Sequence, residues 1–372
     1  MKLSTKTRAV TLSAAFASTL ALAACGASNE GGTSAATGSA GESQEQLSGT
    51  LNGAGASSQQ AAMQGWTAGF SSVQPDVTVN YDPVGSGGGR EQFIAGGVDF
   101  AGSDAALKDD ELTAAEDRCG SAGIFELPDY ISAIAVVYNL PGVDDLNLSP
   151  DVLAGIFTGA ITTWDDPAIA ADNEGADLPS TTITPVHRAD DSGTTTNFTQ
   201  YLSAASPSVW TSEPDGEWPL SGGEAANQTS GMISAVQAGE GAIGYADESQ
   251  AGDLGVANIG VGSDFVAPSP EAAAAVVENS ELQSGRGEFD FAYDINRTTE
   301  SADEYPIVLV SYHIGCISYD DATQADLVKA FLGYVISEDG QNAAAQAAGN
   351  APISDSLREQ AQTAIDAITS GS

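Results

Sequence analysis

Basic side chains are scarce in this chain: 11 Lys and Arg stand against 51 Asp and Glu, a formal net charge of −40 over 372 residues. Nucleic-acid binding needs a basic patch, so that class is excluded. Electrostatic docking on anionic lipid is excluded on the same ground. There are 2 His and 3 Cys, and the cysteines stand too far apart in sequence for a His/Cys metal centre. No metal or cofactor is expected. No G-x-S-x-G elbow occurs, and the Gly-rich run at Gly85 lacks the G-K-[ST] ending of a P-loop. His187, Asp190 and Ser192 are the residue types of a hydrolase triad. Packed within six residues at one turn they cannot align as a triad does, so no catalysis is expected. Internal repeats of solenoid type are absent, and no stretch after residue 24 is long and apolar enough to cross a bilayer.

What is present begins with a targeting segment. Lys2, Lys6 and Arg8 form a basic start, and residues 9–24 are apolar and small. Leu22-Ala23-Ala24-Cys25-Gly26 then looks like a bacterial lipobox, in which Cys25 is acylated and becomes the new N-terminus. Residues 1–24 are therefore expected to be removed as a lipoprotein signal peptide, and 25–46 to be a flexible tether poor in large apolar side chains. Cleavage leaves 8 Lys and Arg against 51 Asp and Glu, a formal charge of −43. Such a surface keeps an exported protein soluble. In that compartment a disulfide between Cys119 and Cys316 and a pair of buried free thiols are both open.

The remainder alternates strand-like and helix-like runs, which predicts an α/β fold. Strands are expected at 77–81, 131–139, 181–188, 241–246 and 307–313. Helices are expected at 58–70, 90–95, 151–157, 194–205, 228–238 and 323–348. The acidic, Gly/Ser/Pro-rich stretches 206–224 and 261–304 read as surface loops or poorly ordered helix. The apolar runs 131–139 and 307–313 bracket the middle of the chain. A two-lobed fold whose chain leaves one lobe and later returns would cross at those strands, with ligand between the lobes.

Three short runs carry the function: Gly53-Ala-Gly-Ala-Ser-Ser-Gln59, Gly85-Ser-Gly-Gly-Gly-Arg90 and Arg188-Ala-Asp-Asp-Ser-Gly-Thr194. Each places small and hydroxyl residues just before a helix-like segment. Helix N-termini carry unpaired N–H groups and partial positive charge, and small residues let an anion approach them. Taken singly, Ser86 and Ser192 are also ordinary N-caps, Asp104 a helix-start residue, Arg188 one half of an ion pair with Asp190, and Gly85 to Gly89 a turn. As an ordered set they make an anion cradle.

Together with Val98-Asp-Phe-Ala-Gly-Ser-Asp104, these runs resemble the phosphate-binding receptors of bacterial ABC phosphate uptake, the PstS type. Phe157-Thr-Gly-Ala-Ile-Thr-Thr-Trp-Asp165, Trp218-Pro-Leu220 and Gly241-Ala-Ile-Gly-Tyr245 extend the resemblance, which runs from about residue 47 to the C-terminus. It implies a periplasmic-binding-protein fold of type II, with two crossing strands as hinge. Lobe one would comprise 47–131 plus 307–372, and lobe two 132–306. The implied phosphate ligands are Ser57, Ser58, Ser86 and Asp104 from lobe one, with Arg188, Ser192, Gly193 and Thr194 from lobe two. Ser57 keeps the hydroxyl of a position that is normally Thr. Ser58 stands at a usually aromatic position that contributes its backbone N–H. Asp104 would be the proton acceptor and Asp190 the group that holds Arg188, while His187 receives no role. Both cysteines would belong to lobe one, near the hinge.

Phosphate chemistry agrees with that set. Ser, Thr, Arg and N–H groups serve phosphate oxygens, whereas an ionised carboxylate accepts only and can serve only the P–OH. Sulfate has no such proton near neutral pH, so Asp104 should reject it. The expected partners are inorganic phosphate, an ABC permease and the cell membrane, through lipid on Cys25 at its outer face. A receptor for another tetrahedral oxyanion, or a surface phosphate sensor or scavenger, are the alternatives.

Overall fold

The computed structural model describes residues 46–371. The signal segment, Cys25 and the tether up to residue 45 lie outside the described residues. The chain opens with β1 (Gly49–Gly55), α1 (Gln60–Val73), β2 (Val77–Asp82), α2 (Ser86–Ile94), β3 (Phe100–Ser103), α3 (Asp109–Cys119) and the long β4 (Ile124–Tyr138). The middle holds α4 (Pro150–Phe157), β5 (Thr184–Arg188), α5 (Gly193–Ala205), β6 (Glu224–Ala226), α6 (Gln228–Ala238), β7 (Ala242–Asp247) and α7 (Pro270–Glu278). The end holds β8 (Val308–Cys316), α8 (Ala322–Ile336), α9 (Glu338–Ala348) and α10 (Asp355–Ala367).

One sheet runs through the molecule in the order β2-β1-β3-β8-β4-β7-β5-β6, with Gly255–Val256 paired to β4 off that path. β1 is parallel to β2 and β3, and β5 is parallel to β6 and β7. The long strands β4 and β8 run antiparallel between these two parallel groups. β4 changes partner along its length: Ile124 to Ala133 pair with β8, and Ile134 to Tyr138 pair with β7. All 15 of its residues are buried. A strand covered on both faces reads as a continuous apolar run, as Ile131 to Tyr138 does.

The sequence placed the first crossing strand at 131–139, and it starts earlier, at Ile124. Glu126 and Asp129 interrupt the apolar pattern there. Both are fully buried, Glu126 accepting from the Leu107 N–H at 3.0 Å and Asp129 bonding His313 Nδ1 at 2.6 Å. The stretch 261–304 is not merely loop: α7 lies in it and buries Ala272, Ala273, Val276 and Val277. Its start carries Ser269 as N-cap with Pro270 at the first position. The single helix expected at 323–348 is two, broken at Ser337, whose hydroxyl accepts from Gly340 N–H at 3.1 Å and starts α9.

Parallel strands followed by helices put loops and helix N-termini at the strands' carboxyl ends. On one side these are the β1–α1, β2–α2 and post-β3 connections. On the other they are the β5–α5 and β6–α6 connections. Cys119 and Cys316, at the ends of α3 and β8, are disulfide-bonded with Cα atoms 5.2 Å apart. Among the described residues no helix is long and apolar enough to cross a membrane.

Candidate anion-binding site

Arg188 ends β5 and is 3 % exposed. Its Nε donates to Asp190 Oδ1 at 2.8 Å, and its Nη2 reaches both Asp190 Oδ2 and, at 3.3 Å, Ser57 Oγ. Asp190 in turn accepts the Gln228 N–H at 2.9 Å. Burial alone would raise the Asp190 pKa, but the bonds from Arg188 and Gln228 outweigh it and hold the carboxyl below its ordinary value. Gln228 adopts φ +59°, which non-glycine residues seldom take. That strain sits where its N–H meets the Asp190 carboxylate, which also holds Arg188.

Ser57 links the two sides of the sheet. It precedes α1, and its Oγ accepts from Thr229 N–H at 3.1 Å and lies 3.0 Å from Thr229 Oγ1 at the start of α6. Gln250 Nε2 donates to the Ser57 and Ser58 carbonyls at 3.1 and 3.0 Å. Ser58 is fully buried, and its hydroxyl reaches both oxygens of Asp104, at 2.7 and 2.8 Å.

Asp104 follows β3 and is 3 % exposed. Burial raises its pKa, while hydroxyls of Ser58, Ser311 and Thr194 and the positive field of Arg188 pull the other way. Thr194, in the first turn of α5, donates to Oδ2 at 3.0 Å. The Asp104 main chain is fixed too, its N–H donating to Ser86 Oγ at 3.1 Å and its carbonyl accepting from Asn197 Nδ2 at 2.6 Å. Ser86 is the first residue of α2, and that bond turns its hydroxyl away from its own helix. Ser192 does cap its own helix, accepting from Thr195 N–H at 3.3 Å.

Gly193 shows how closely the two sides approach. A Cβ there would lie 2.7 Å from both Asp104 Cβ and Ser86 Oγ and 3.0 Å from Ala105 N. Only glycine fits that gap without displacing neighbours. His187 lies outside this cluster, its ring stacked on Trp218 at 5.0 Å between centroids.

Ser57, Ser58, Ser86, Asp104, Arg188, Ser192, Gly193 and Thr194 are thus brought together around one point, each no more than 3 % exposed where its exposure is given. Thr229, Asn197, Gln250 and Ser311 join them without having been anticipated. The helix bearing Thr229 was legible, but not that its first turn faces Ser57. A second arginine was also missed: Arg90, 1 % exposed, bonds Glu111 at 3.0 Å and Ser103 at 3.1 Å and lies 3.4 Å from Asp191. Among the described residues no group of His, Cys, Asp and Glu could hold a metal ion. The chemistry available is hydrogen-bond donation toward an anion, with one buried carboxylate as acceptor.

The chain is similar to known proteins in sequence and in fold. The model of the PBP superfamily domain matches residues 40–339. Phosphate-binding protein PstS3 of Mycobacterium bovis (strain BCG) is 37 % identical over 323 residues, covering 86 % of each chain. Phosphate-binding protein PstS2 of the same strain is 35 % identical over 378 residues, covering 99 % of this chain and 100 % of the relative. Among solved structures, a high-affinity periplasmic phosphate-binding protein (PfluDING) bound with phosphate superposes with TM-score 0.68 at 23 % identity. That match covers 85 % of this chain and 93 % of the other. The shared architecture is the two-lobed α/β fold of these proteins.

Proposed function

Because the chain belongs to the PBP superfamily, and within it to the PstS-type phosphate-binding proteins, we propose that it binds inorganic phosphate between two lobes and delivers it to an ABC permease. It is a binding protein rather than an enzyme, working outside the cytoplasm. We assign 47–131 plus 307–372 to lobe one and 132–306 to lobe two. The partner exchange of β4 between Ala133 and Ile134, two residues past that boundary, supports a division in this strand. Residues 1–24 are a signal peptide on this reading, and lipid on Cys25 anchors the protein to the outer face of the membrane through the 25–46 tether.

The ligands are Ser57, Ser58, Ser86, Asp104, Arg188, Ser192, Gly193 and Thr194, with Asp190 fixing Arg188. Contacts shared between lobes are complete only in the closed form, so phosphate favours closure. Asp104 carries the reading: a carboxylate buried among hydroxyl donors can receive a ligand proton and nothing else. Phosphate brings that proton. Sulfate brings an oxygen lone pair instead, and a site built around a required hydrogen bond rejects such an analogue by roughly 10⁴–10⁵-fold.

The test is calorimetric titration of phosphate into anion-free protein in excess sulfate. One-to-one binding that ignores sulfate supports the reading. Sulfate competition points to a general oxyanion receptor, and no phosphate binding by folded protein sinks it.

A further inference from the structure

Arg297 is 6 % exposed, and phosphate binding as described leaves it without a role. Its partners are all neutral. Nη1 donates to the Pro306 and Val308 carbonyls at 3.2 and 2.7 Å. Nη2 donates to Asn197 Oδ1 and, at 3.1 Å, to Gln200 Oε1. Nε has no hydrogen-bond partner. Burial lowers the Arg297 pKa to about 10, so the guanidinium stays charged near neutral pH. Among the described residues the other buried arginines, Arg90 and Arg188, are each paired with a carboxylate. A buried charge without a counter-charge is expensive to keep.

The four acceptors lie in two places. Val308 opens β8 and is paired with Ala133, beside the point where β4 changes partner. Asn197 and Gln200 share one face of α5, the helix whose first turn carries Gly193 and Thr194. Arg297 therefore clamps α5 to the strands at the crossing. Asn197 carries the link further. Its Nδ2 donates to the Gly193 carbonyl at 2.9 Å and to the Asp104 carbonyl at 2.6 Å. A side-chain amide has one accepting and one donating end, so a cationic donor on Oδ1 fixes where Nδ2 points. Turned over, the amide would set Oδ1 against two carbonyl oxygens. The bond to Asp104 crosses from α5 to the β1–β3 side of the sheet.

Resting on the two-lobed phosphate reading above, we propose that Arg297 is a positioning residue for closure. By fixing the Asn197 amide it aims a donor across the cleft at the Asp104 carbonyl, and it ties that donor to the hinge. Arg297 bonds none of the residues assigned to phosphate. Asn197 serves the main chain of Asp104 and leaves its carboxylate alone. The pair thus favours the closed form without touching the ligand, and phosphate is held longer because the closed form is more populated.

The experiment measures phosphate Kd, association and dissociation rates, and the anion-free melting temperature. It uses the whole protein, Asn197→Ala, Asn197→Asp and Arg297→Gln. Asn197→Ala removes one neutral bond across the cleft and should raise Kd about 2- to 10-fold, through faster dissociation. Asn197→Asp gives Arg297 a carboxylate but turns an oxygen on the Asp104 carbonyl. It should weaken binding further, roughly 10- to 100-fold, while the melting temperature holds or rises. Arg297→Gln should weaken binding in the parent and add nothing in the Asn197→Ala background. Arg297→Lys takes its place where the glutamine variant melts below the assay temperature. An unchanged Kd in both Asn197 variants overturns the proposal. So does an Arg297 effect of equal size with and without Asn197. Both results leave phosphate binding intact, whereas absence of phosphate binding by parent protein that melts cooperatively overturns both readings together.

Discussion

Replacing Gly193 by alanine separates closure from folding. Gly193 begins α5, whereas the atoms a Cβ would strike belong to Asp104, Ser86 and Ala105, on the β1–β3 side of the sheet. None of these yields easily. Asp104 is held through its N–H and its carbonyl, and Ser86 is fixed by its bond to Asp104 N–H. Overpacking of this kind costs about 1–3 kcal/mol, which corresponds to roughly 5- to 150-fold in Kd. In an open form, with the two sides apart, the methyl group would meet no such clash. There alanine also favours the helix over glycine, by at most about 1 kcal/mol. Gly193→Ala should therefore weaken phosphate binding 5- to 150-fold while leaving the melting temperature of the anion-free protein unchanged or raised. Calorimetric titration paired with thermal melts of anion-free protein measures both. A lowered melting temperature with an unchanged Kd would show that the gap at Gly193 exists in every folded state and that closure plays no part.

Asp104→Asn exchanges an acceptor for a group that can donate, so the phosphate-over-sulfate preference should collapse from roughly 10⁴–10⁵-fold toward parity. A competition titration that finds the parental ratio contradicts the role given to Asp104. Reduction of Cys119–Cys316, which joins residues 197 apart in sequence, should lower unfolding stability by about 2–5 kcal/mol. Denaturant midpoints with and without reductant measure that, and coincident midpoints refute it. Asp247, fully buried and bonded by Tyr130 at 3.0 Å, has its pKa pushed from 3.8 up to about 7, chiefly by burial. Between those values the folded state holds more protons than the unfolded state. Stability should therefore fall as pH rises from about 4 to about 7, and Asp247→Asn should flatten the decline in pH-dependent melts. A variant that retains the parental decline assigns it to other groups.

Local patterns revealed much of the fold. Helix 228–238 follows from apolar periodicity and ends where read, whereas β8, expected at 307–313, starts at Val308 and runs on to Cys316. The failures have physical causes. β1 went unread because Gly49-Thr-Leu-Asn-Gly-Ala-Gly55 has poor strand propensity. It is held instead by parallel partners on both sides, and Gly55, at φ +148°, passes close to the Gly102 backbone. The break at Ser337 was hidden because helix-favouring sequence stands on either side of it, Leu- and Val-bearing before it and alanine-rich after it. α7 was hidden because Ser, Pro and Glu, read as loop composition, are also an N-cap, a first-position proline and a first-turn acid. At the site, short-range signals exposed the donors. What surrounds Asp104 comes from residues 58, 86, 194, 197 and 311, and no local window holds that set.

The charge distribution determines how such a site attracts its ligand. Arg188 is neutralised by Asp190, and Asp104 adds a negative charge, so the side chains supply no net positive charge to an anion. Lys108, Arg90, Arg286 and Arg358 are likewise paired with carboxylates. Attraction must come from dipoles. α1, α2, α5 and α6 all begin at the site, and each N-terminus carries about half a positive charge. Four of them roughly match a dianion. These dipoles act at contact distance, where salt screens little, whereas the field of 51 acidic residues against 11 basic ones acts across the solvent, where a Debye length of about 8–10 Å governs it. Added salt should therefore raise the association rate of phosphate while changing the dissociation rate much less, opposite to a receptor that steers anions with basic side chains. Stopped-flow measurements across ionic strengths separate the two. An association rate that falls steeply with salt would mean that a positive potential at the cleft dominates the surface charge, and that the dipoles reach further into solvent than contact distance allows.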